Sequence, residues 1–253
     1  MNAVNGRVES NPSPDVVARF QVAAARRMLY RHGCDSWNSG HVSMRSDDSS
    51  GSFWINPAQY FDETLPGDIV CLSFDMKMLE GEKRPSPTVG FHASIYKRRP
   101  DVNAIVHTHS DSAAIFSTLR EPLGMYNISA VFFHESVRHY DYKNGLDESQ
   151  GDSFAEALGT AKALVLPNHG VIVTSNSVQN AAVETMIFER CARIHLGAKQ
   201  VGGCELSLQE VRSLREMLAH SHRQQIWRAN MRRLRTSDPE IFESLPADII
   251  EMA

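Results

Sequence analysis

A predicted buried strand that ends in two histidines is the feature that most constrains this chain. The apolar segment Val102–Val106 runs directly into His107-Thr108-His109, which is typical of a strand that ends at a loop. Alternate residues of a strand point to the same face, so the two histidines are predicted to lie side by side. Two imidazoles in that arrangement can bind one divalent metal ion, although a pair of structural histidines gives the same pattern.

A third histidine lies between two further predicted strands, Ala163–Leu166 and Val171–Thr174. His169 is flanked by an asparagine and a glycine, and glycine allows backbone angles that direct a neighbouring side chain into a site. The same two residues are also common in plain turns. Together the three histidines predict three nitrogen ligands. Three protein ligands with open positions are typical of a catalytic metal site.

The remaining pattern predicts one α/β or α+β domain over residues 13–205. A loose lead over 1–12 precedes it, and a helical extension over 206–253 follows it. Helices are predicted from the spacing of apolar residues and from capping residues, and short strands from apolar runs between turns. The predicted helices cover about 13–32, 88–98, 110–119, 152–159 and 177–200, and the further strands are Ser52–Ile55 and Ile69–Ser73. Residues 126–133 are apolar and are expected to be extended.

Composition and charge exclude several classes of protein. The 253 residues carry a net charge of −4, which argues against a nucleic-acid-binding protein. No stretch of about 18 apolar residues and no apolar leader is found, so we expect neither a transmembrane helix nor a signal peptide. The four cysteines are scattered and are expected to be reduced thiols of a cytoplasmic protein.

Several motifs together resemble the class II aldolase/adducin family, which includes fuculose-phosphate-type aldolases and ribulose-phosphate 4-epimerase. The resemblance covers about residues 15–205. The stretch IYxxRPDVxAxxHTHS and the NHG turn at 168–170 are its most specific parts. The matching segments are the turn Ser39-Gly40-His41-Val42-Ser43 with Arg45, the loop Arg84-Pro85-Ser86, the run from His92 to Ser110, the NHG turn, and the long helix that ends in IFERCARIHLGAKQ.

The resemblance implies a fold, a metal site and an assembly. The family fold is a central, mainly antiparallel β-sheet flanked by helices on both sides. Family members are commonly homotetramers whose metal site lies at a subunit interface. The resemblance further implies that His107, His109 and His169 bind a divalent metal ion. Zinc is the expected ion, and manganese, iron and cobalt are also compatible with three imidazole ligands.

One departure from the family pattern concerns proton transfer. Family aldolases carry a glutamate four residues before the position of His92, and this chain has Thr88 there. A hydroxyl is a poor general base near neutral pH, so the usual aldol proton shuttle is predicted to be absent. His92 lies one helical turn from Thr88 and can share its face. It is expected to complete the metal shell, to act as the acid or base, or to pack against the sheet.

A second departure concerns phosphate binding. His41 replaces an asparagine of the sugar-phosphate members, and Ser86-Pro87 replaces two adjacent serines. Proline has neither a hydroxyl nor an amide proton, and a phosphate group needs several such donors. We therefore expect an unphosphorylated small-molecule carboxylate as substrate. His41, Arg45 and Ser86 are predicted to bind it, Arg45 in bidentate fashion, unless Arg45 is an ordinary surface strand residue.

A fourth cluster combines aromatic and ionisable side chains at 132–135. In the family the corresponding strand borders the active-site cleft. Glu135 is a candidate proton donor and His134 a candidate substrate contact, although an exposed strand end gives the same pattern. The basic C-terminal tail is expected to form a lid or a subunit interface. Weaker candidates that a neighbouring active site would use are His220, His222 and Arg223.

These features favour a divalent-metal-dependent carbon–carbon lyase, most simply a decarboxylase of a hydroxy-aromatic or β-oxo acid. Loss of carbon dioxide leaves a carbanion that a metal ion stabilises, and it needs a proton donor at the end rather than a base at the start. One alternative is aldol cleavage of a hydroxy-oxo acid to pyruvate or an aldehyde. Two others are oxygen activation by Fe(II) at the same histidines and a non-catalytic, adducin-like interaction protein.

Overall fold

An eight-stranded β-sheet organises the chain in the computed structural model, which describes residues 14–47, 51–141, 151–218, 221–243 and 245. The strand order is β4-β3-β2-β1-β5-β8-β7-β6. Every neighbouring pair is antiparallel except β6 and β7, which are parallel. The strands are β1 His41–Arg45, β2 Ser52–Ile55, β3 Val70–Ser73, β4 Met78–Glu80, β5 Ala104–Thr108, β6 Val137–His139, β7 Ala163–Leu166 and β8 Gly170–Ser175. The prediction of a central, mainly antiparallel sheet is confirmed.

Helices cover both faces of the sheet, as predicted. They are α1 Pro14–Arg31, α2 Gly90–Arg98, α3 Asp111–Ser117, α4 Gly151–Leu158, α5 Val178–Gln200, α6 Leu208–Leu218 and α7 His222–Ser237. The last two helices lie in the segment predicted as a helical C-terminal extension. None of the described helices is long and apolar enough to cross a membrane. The predicted N-terminal lead, and His220, lie outside the described residues.

Strand alternation separates two hydrophobic cores, one on each face of the sheet. Val106 and Val173 pack with α1, α3 and α5 on the first face. Ile105 and Ile172 pack with α2 and α4 on the second face. Because successive strand residues point to opposite faces, the continuous apolar runs of β5 and β8 supply both cores. Each fully buried aliphatic side chain contributes about 1.5–3 kcal/mol.

The expected extended segment at 126–133 is wrong. Residues Ile128–Phe133 form a 3₁₀ helix that begins after Asn127, whose side-chain oxygen accepts a hydrogen bond from the amide of Ser129. An asparagine at that position caps a helical turn, and this local signal prevails over the apolar composition. Sequence reasoning also missed the short strands β4 and β6, which have three residues each.

A buried carboxylate connects the C-terminal extension to α1. Asp238, after the end of α7, is fully buried and binds Arg27 at 3.0 Å and Arg31 at 3.1 Å. Burial raises the pKa of this carboxyl, but hydrogen bonds from Arg31 and Ser237 outweigh burial and hold the pKa below 3.8. The carboxylate is therefore charged at neutral pH. Its contribution to stability is present above pH 3.8 and is lost as the pH falls below that value.

We expect Asp238→Asn to lower the free energy of unfolding by about 3 kcal/mol near pH 7, because it leaves a buried guanidinium without its charged partner. The difference from wild type shrinks as the pH falls below 3.8, where the wild-type carboxylate also takes up a proton. Urea unfolding at both pH values measures this. Glu240→Gln is the control, since Glu240 binds the same Arg27 but is 42% exposed, and it should cost less than about 1 kcal/mol. Equal losses in both variants would contradict a special role for Asp238.

Candidate metal centre

Three histidines meet at one end of the central strands, where β5 ends and β8 begins. His107 lies in β5 and His109 follows its last residue, while His169 lies in the turn from β7 to β8. Antiparallel pairing of β5 with β8 places Thr108 opposite Val171. This register brings together side chains that are 60 residues apart in the chain.

The ring nitrogens of the three histidines converge. The Nε2 atom of His109 lies 3.0 Å from that of His107 and 2.7 Å from that of His169. One ligand atom from each residue lies within 4.8 Å of the others, with His107 buried and the other two partly buried. Separations near 3 Å match the spacing of ligands around one ion at 2.0–2.1 Å. The donor set therefore fits a divalent metal that accepts nitrogen ligands.

The protonation of the cluster also suits metal binding. The Nδ1 atom of His107 donates to the carbonyl oxygen of Val171 at 3.1 Å, which leaves its Nε2 lone pair free. Burial, followed by the neighbouring histidines, holds the pKa of His107 well below 6.5. Burial and the neighbouring His169 lower the pKa of His109 to about 4, and burial lowers the pKa of His169. All three rings are neutral at pH 7, which is the form that binds a metal.

The backbone of the NHG turn is what directs His169 into the cluster. Asn168 has φ +57°, a left-handed conformation that asparagine tolerates better than most residues. A Cβ atom on Gly170 would overlap the carbonyl oxygen of Thr108 and lie 3.1 Å from Cδ2 of His109. Only glycine lets β8 start this close to β5. The amide of His169 is held by Ser117 Oγ at 3.2 Å and by the Leu166 carbonyl oxygen at 3.1 Å.

Sequence reasoning missed the loop that supports His109. The amide of His109 donates to Ser36 Oγ at 2.6 Å, and Thr108 Oγ1 donates to the carbonyl oxygen of Cys34. A Cβ atom on Gly40 would lie 2.9 Å from the carbonyl oxygen of His107 and 3.2 Å from Ser36 Oγ. The loop before β1 thus packs directly on the end of β5. A serine in a polar loop carries no signal that would have identified this contact.

Beneath the three ligands lies a second layer of buried polar side chains. His41 pairs with His107 in register, and its ring lies 5.4 Å from that of His92. Ser43 Oγ lies 2.7 Å from both His92 Nδ1 and Tyr96 Oη. Both histidines are almost fully enclosed, and burial holds their pKa values well below 6.5. Among the described residues, His41 Nδ1 and His92 Nε2 have no hydrogen-bond partner.

This placement changes what is expected of His41 and His92. With an exposed fraction of 0%, His92 lies behind other side chains and has no direct access to a substrate. His41 is 3% exposed, so it underlies the metal cluster rather than offering an open carboxylate contact. Their burial favours a supporting position for both residues, while catalysis by His92 and substrate binding by His41 stay predictions. Burying an imidazole nitrogen without a hydrogen-bond partner costs free energy. If His41 and His92 served packing alone, apolar residues would be favoured at both positions.

The guanidinium of Arg45, a predicted substrate contact, is engaged by the chain's own backbone. Arg45 lies at the opposite end of β1 from His41. Its guanidinium donates to the carbonyl oxygens of Val102, Tyr96 and Arg99 at 2.8–3.1 Å and lies 4.8 Å above the Tyr96 ring. These contacts hold the side chain against the α2–β5 connection, and a substrate contact by Arg45 stays a prediction.

The structure also places Glu135 and His134 away from the centre of their own chain. They precede β6, which runs parallel to β7 toward the end of the sheet that carries the histidines. Both residues therefore lie toward the opposite end of these strands. The Glu135 side chain is 81% exposed, and its carboxylate lies 3.9 Å from His134 Nδ1. Catalysis by Glu135 is not supported by its position within one chain and stays a prediction. Arg223 binds buried Glu184 at 2.5 Å, and His222 stacks on Phe132, so these two tail residues pack on their own chain.

Ser86 and Thr88 lie just before α2, whose first turn packs beside the cluster. Phe91, in that turn, has its ring 5.6 Å from that of His107, and the following His92 contacts His41. The contact of Ser86 and Thr88 with a bound substrate stays a prediction. Ser86 Oγ and Thr88 Oγ1 lie 3.0 Å apart, and Thr88 is exposed. They offer hydroxyl groups to a bound molecule, but no carboxylate.

The fold and the site define an α/β domain with three histidines at one end of the central strands of a mostly antiparallel sheet. The family described as Class II Aldolase and Adducin N-terminal domain matches residues 20–196. The chain belongs to this family. A crystal structure of an aldolase II superfamily protein from Pseudomonas syringae has the same fold, with a TM-score of 0.81 at 21% identity over 92% of this chain and 98% of the other.

Relatives within the family carry different activities. The 5-deoxy-D-ribulose 1-phosphate aldolase of Bacillus thuringiensis serovar kurstaki is 30% identical over 73% of this chain and 86% of the relative. The decarboxylase NovR of Streptomyces niveus is 28% identical over 81% of this chain and 78% of the relative. These similarities therefore establish the family but do not decide which reaction this chain catalyses.

We expect Gly170→Ala to weaken metal binding by about ten- to a hundredfold, because the methyl group forces β8 away from the Thr108 carbonyl and moves His169. Isothermal titration with zinc measures the affinity, and circular dichroism checks the fold. Gly197→Ala is the matched control, since Gly197 lies in α5 with no atom within 4 Å of an added Cβ. It should leave zinc affinity unchanged and stabilise the helix by about 0.5–1 kcal/mol. Unaltered affinity in Gly170→Ala would contradict the close-approach argument.

Proposed function

We propose that the protein is a divalent-metal-dependent carbon–carbon lyase that decarboxylates an unphosphorylated carboxylic acid of the hydroxy-aromatic or β-oxo type. The observation that carries this proposal is the convergence of three imidazole nitrogens at one end of the central strands. At the position where the family resemblance implies a glutamate in the aldolases, this chain has Thr88. A bound divalent ion, with zinc expected, would supply a positive charge that stabilises the developing negative charge on the substrate oxygen.

The protein's own residues hold and shape this centre. His107, His109 and His169 would bind the ion, and the Val171 carbonyl fixes which nitrogen of His107 is available. Ser86 Oγ would orient the substrate carboxylate. Thr88 Oγ1, hydrogen-bonded to Ser86 Oγ at 3.0 Å, would pass a proton from solvent to the carbon that loses carbon dioxide.

The absence of a strong base at position 88 favours decarboxylation over aldol cleavage. Retro-aldol reaction begins with removal of a hydroxyl proton, whereas decarboxylation begins without a base and ends with protonation of carbon. A neutral hydroxyl is a weak base but can relay a proton from water. The similarity to the decarboxylase NovR supports the same choice.

Aldol cleavage is the second candidate, because the relative from Bacillus thuringiensis with 30% identity is an aldolase. In that case the substrate would be a hydroxy-oxo acid and the products pyruvate or an aldehyde. A carboxylate from a neighbouring subunit would then supply the base. We infer a homotetramer for the assembled enzyme, in line with the family. In that assembly a second chain would contribute residues to the site at the three histidines.

Metal content is the first test. We expect about one equivalent of zinc or manganese per chain in the purified protein, and loss of that metal in His109→Ala, which removes one of three ligands. His32→Ala is the control, since His32 is exposed and bonded to Asn230. Elemental analysis measures both. Bound iron would direct the work to oxygen consumption, and failure to bind any metal after reconstitution would favour the interaction protein.

The role of Thr88 gives a second test. We expect the metal-loaded enzyme to release carbon dioxide from a hydroxy-aromatic or β-oxo acid without forming an aldehyde. Thr88→Ala should lower kcat by about a hundredfold with little change in KM, because the hydroxyl acts in proton transfer rather than in binding. Thr236→Ala, an exposed threonine on α7, serves as the control. Aldehyde formation without carbon dioxide would establish aldol cleavage instead.

A further inference from the structure

An exposed tryptophan projects from the loop that supports His109. The side chain of Trp37 is 75% exposed. The other tryptophans, Trp54 and Trp227, are only 3% and 8% exposed. Single exposed apolar residues are ordinary on protein surfaces, so exposure alone assigns no role to Trp37.

The backbone of Trp37 adds a second observation. The amide of Ser39 donates to the carbonyl oxygen of Ser36 at 2.9 Å, so residues 36–39 form a tight turn with Trp37 as its first central residue. Trp37 has φ +57° there, a conformation in which glycine, asparagine or aspartate is favoured and a bulky aromatic residue is strained. Strained residues of this kind cluster at functional sites.

The position of the turn adds a third observation. Its first residue, Ser36, accepts the hydrogen bond from the amide of His109 at 2.6 Å and lies 3.2 Å from Thr108 Oγ1. The residue after the turn, Gly40, packs on the carbonyl oxygen of His107. Both ends of the turn are therefore fixed to the metal-binding end of β5, and the rigid turn carries Trp37 at the rim of the centre.

We propose that Trp37 is a substrate-binding residue whose indole ring stacks on the planar ring of a hydroxy-aromatic acid bound at the three histidines. This inference rests on the proposed function and deepens it, because it selects the aromatic over the aliphatic β-oxo acids. A rigid aromatic side chain binds a flat ring with little loss of conformational freedom.

The test uses the full-length, metal-loaded protein with 4-hydroxybenzoate and pyruvate as paired probes, since both are carboxylates and only one has a ring. We expect Trp37→Ala to raise the dissociation constant of 4-hydroxybenzoate by about three- to tenfold, the size of one aromatic stacking contact. Trp37→Phe should change it by less than about twofold, and pyruvate should bind both variants as it binds wild type. Calorimetry measures these affinities.

Fluorescence locates the contact independently. In wild type the emission that acrylamide quenches comes from Trp37, because the other two tryptophans are buried, and 4-hydroxybenzoate should protect it. Met217→Ala, an exposed apolar residue on α6, is the control and should leave every affinity unchanged. Trp37→Phe should lack the quenchable emission.

The outcomes separate this inference from the proposed function. Metal bound at the histidines with equal affinities for 4-hydroxybenzoate in wild type and Trp37→Ala overturns the role of Trp37 and leaves the lyase intact. No saturable binding of 4-hydroxybenzoate, or no acrylamide-accessible emission in wild type, also overturns it. Specific ring binding through Trp37 without any release of carbon dioxide keeps the inference and rejects the decarboxylase.

Discussion

The pairing of β5 with β8 is the interaction on which the rest of the structure depends. Its register places Thr108 opposite Val171, and Gly170 allows the two backbones to meet at the sheet edge. A slip of one residue would turn His107 and His109 to the opposite face and would also exchange the two hydrophobic cores. The same ladder therefore fixes the packing of the helices and the convergence of the imidazoles.

The five histidines around this ladder divide into two groups. Three of them present Nε2 atoms to a common point at the end of β5. The other two, His41 and His92, lie beneath that point among buried side chains, with a hydrogen bond from His92 to Ser43. Residue type alone does not separate these groups, because the difference lies in burial and direction. The imidazole group thus occurs in two settings, in the converging cluster that would bind a metal ion and in the buried layer beneath it.

The sequence predicted most of the central strands and the convergence of three histidines from local periodicity and motif spacing, and the family resemblance supplied the sheet architecture. It did not predict the short outer strands β4 and β6 or the direction of individual side chains. Arg45 belongs to the same motif as His41 yet lies at the other end of β1, because the two are the first and last residues of this five-residue strand. Glu135 follows a 3₁₀ helix that Asn127 caps, a local feature overlooked in an apolar run. Ser36 gave no signal because its contact with His109 spans 73 positions.

The distance along the chain between His109 and His169 has a thermodynamic consequence. These ligands are 60 residues apart, and closing a loop of that length in an unfolded chain costs roughly 3.6 kcal/mol of entropy before any constant term. The unfolded polypeptide therefore presents no preformed cage, and an ion held by all three rings would act as a cross-link that exists only in the native state. Folding and metal uptake would then be coupled equilibria. The thermal midpoint of the protein would rise with the concentration of free metal, so such an ion would stabilise the fold as well as serve the proposed chemistry.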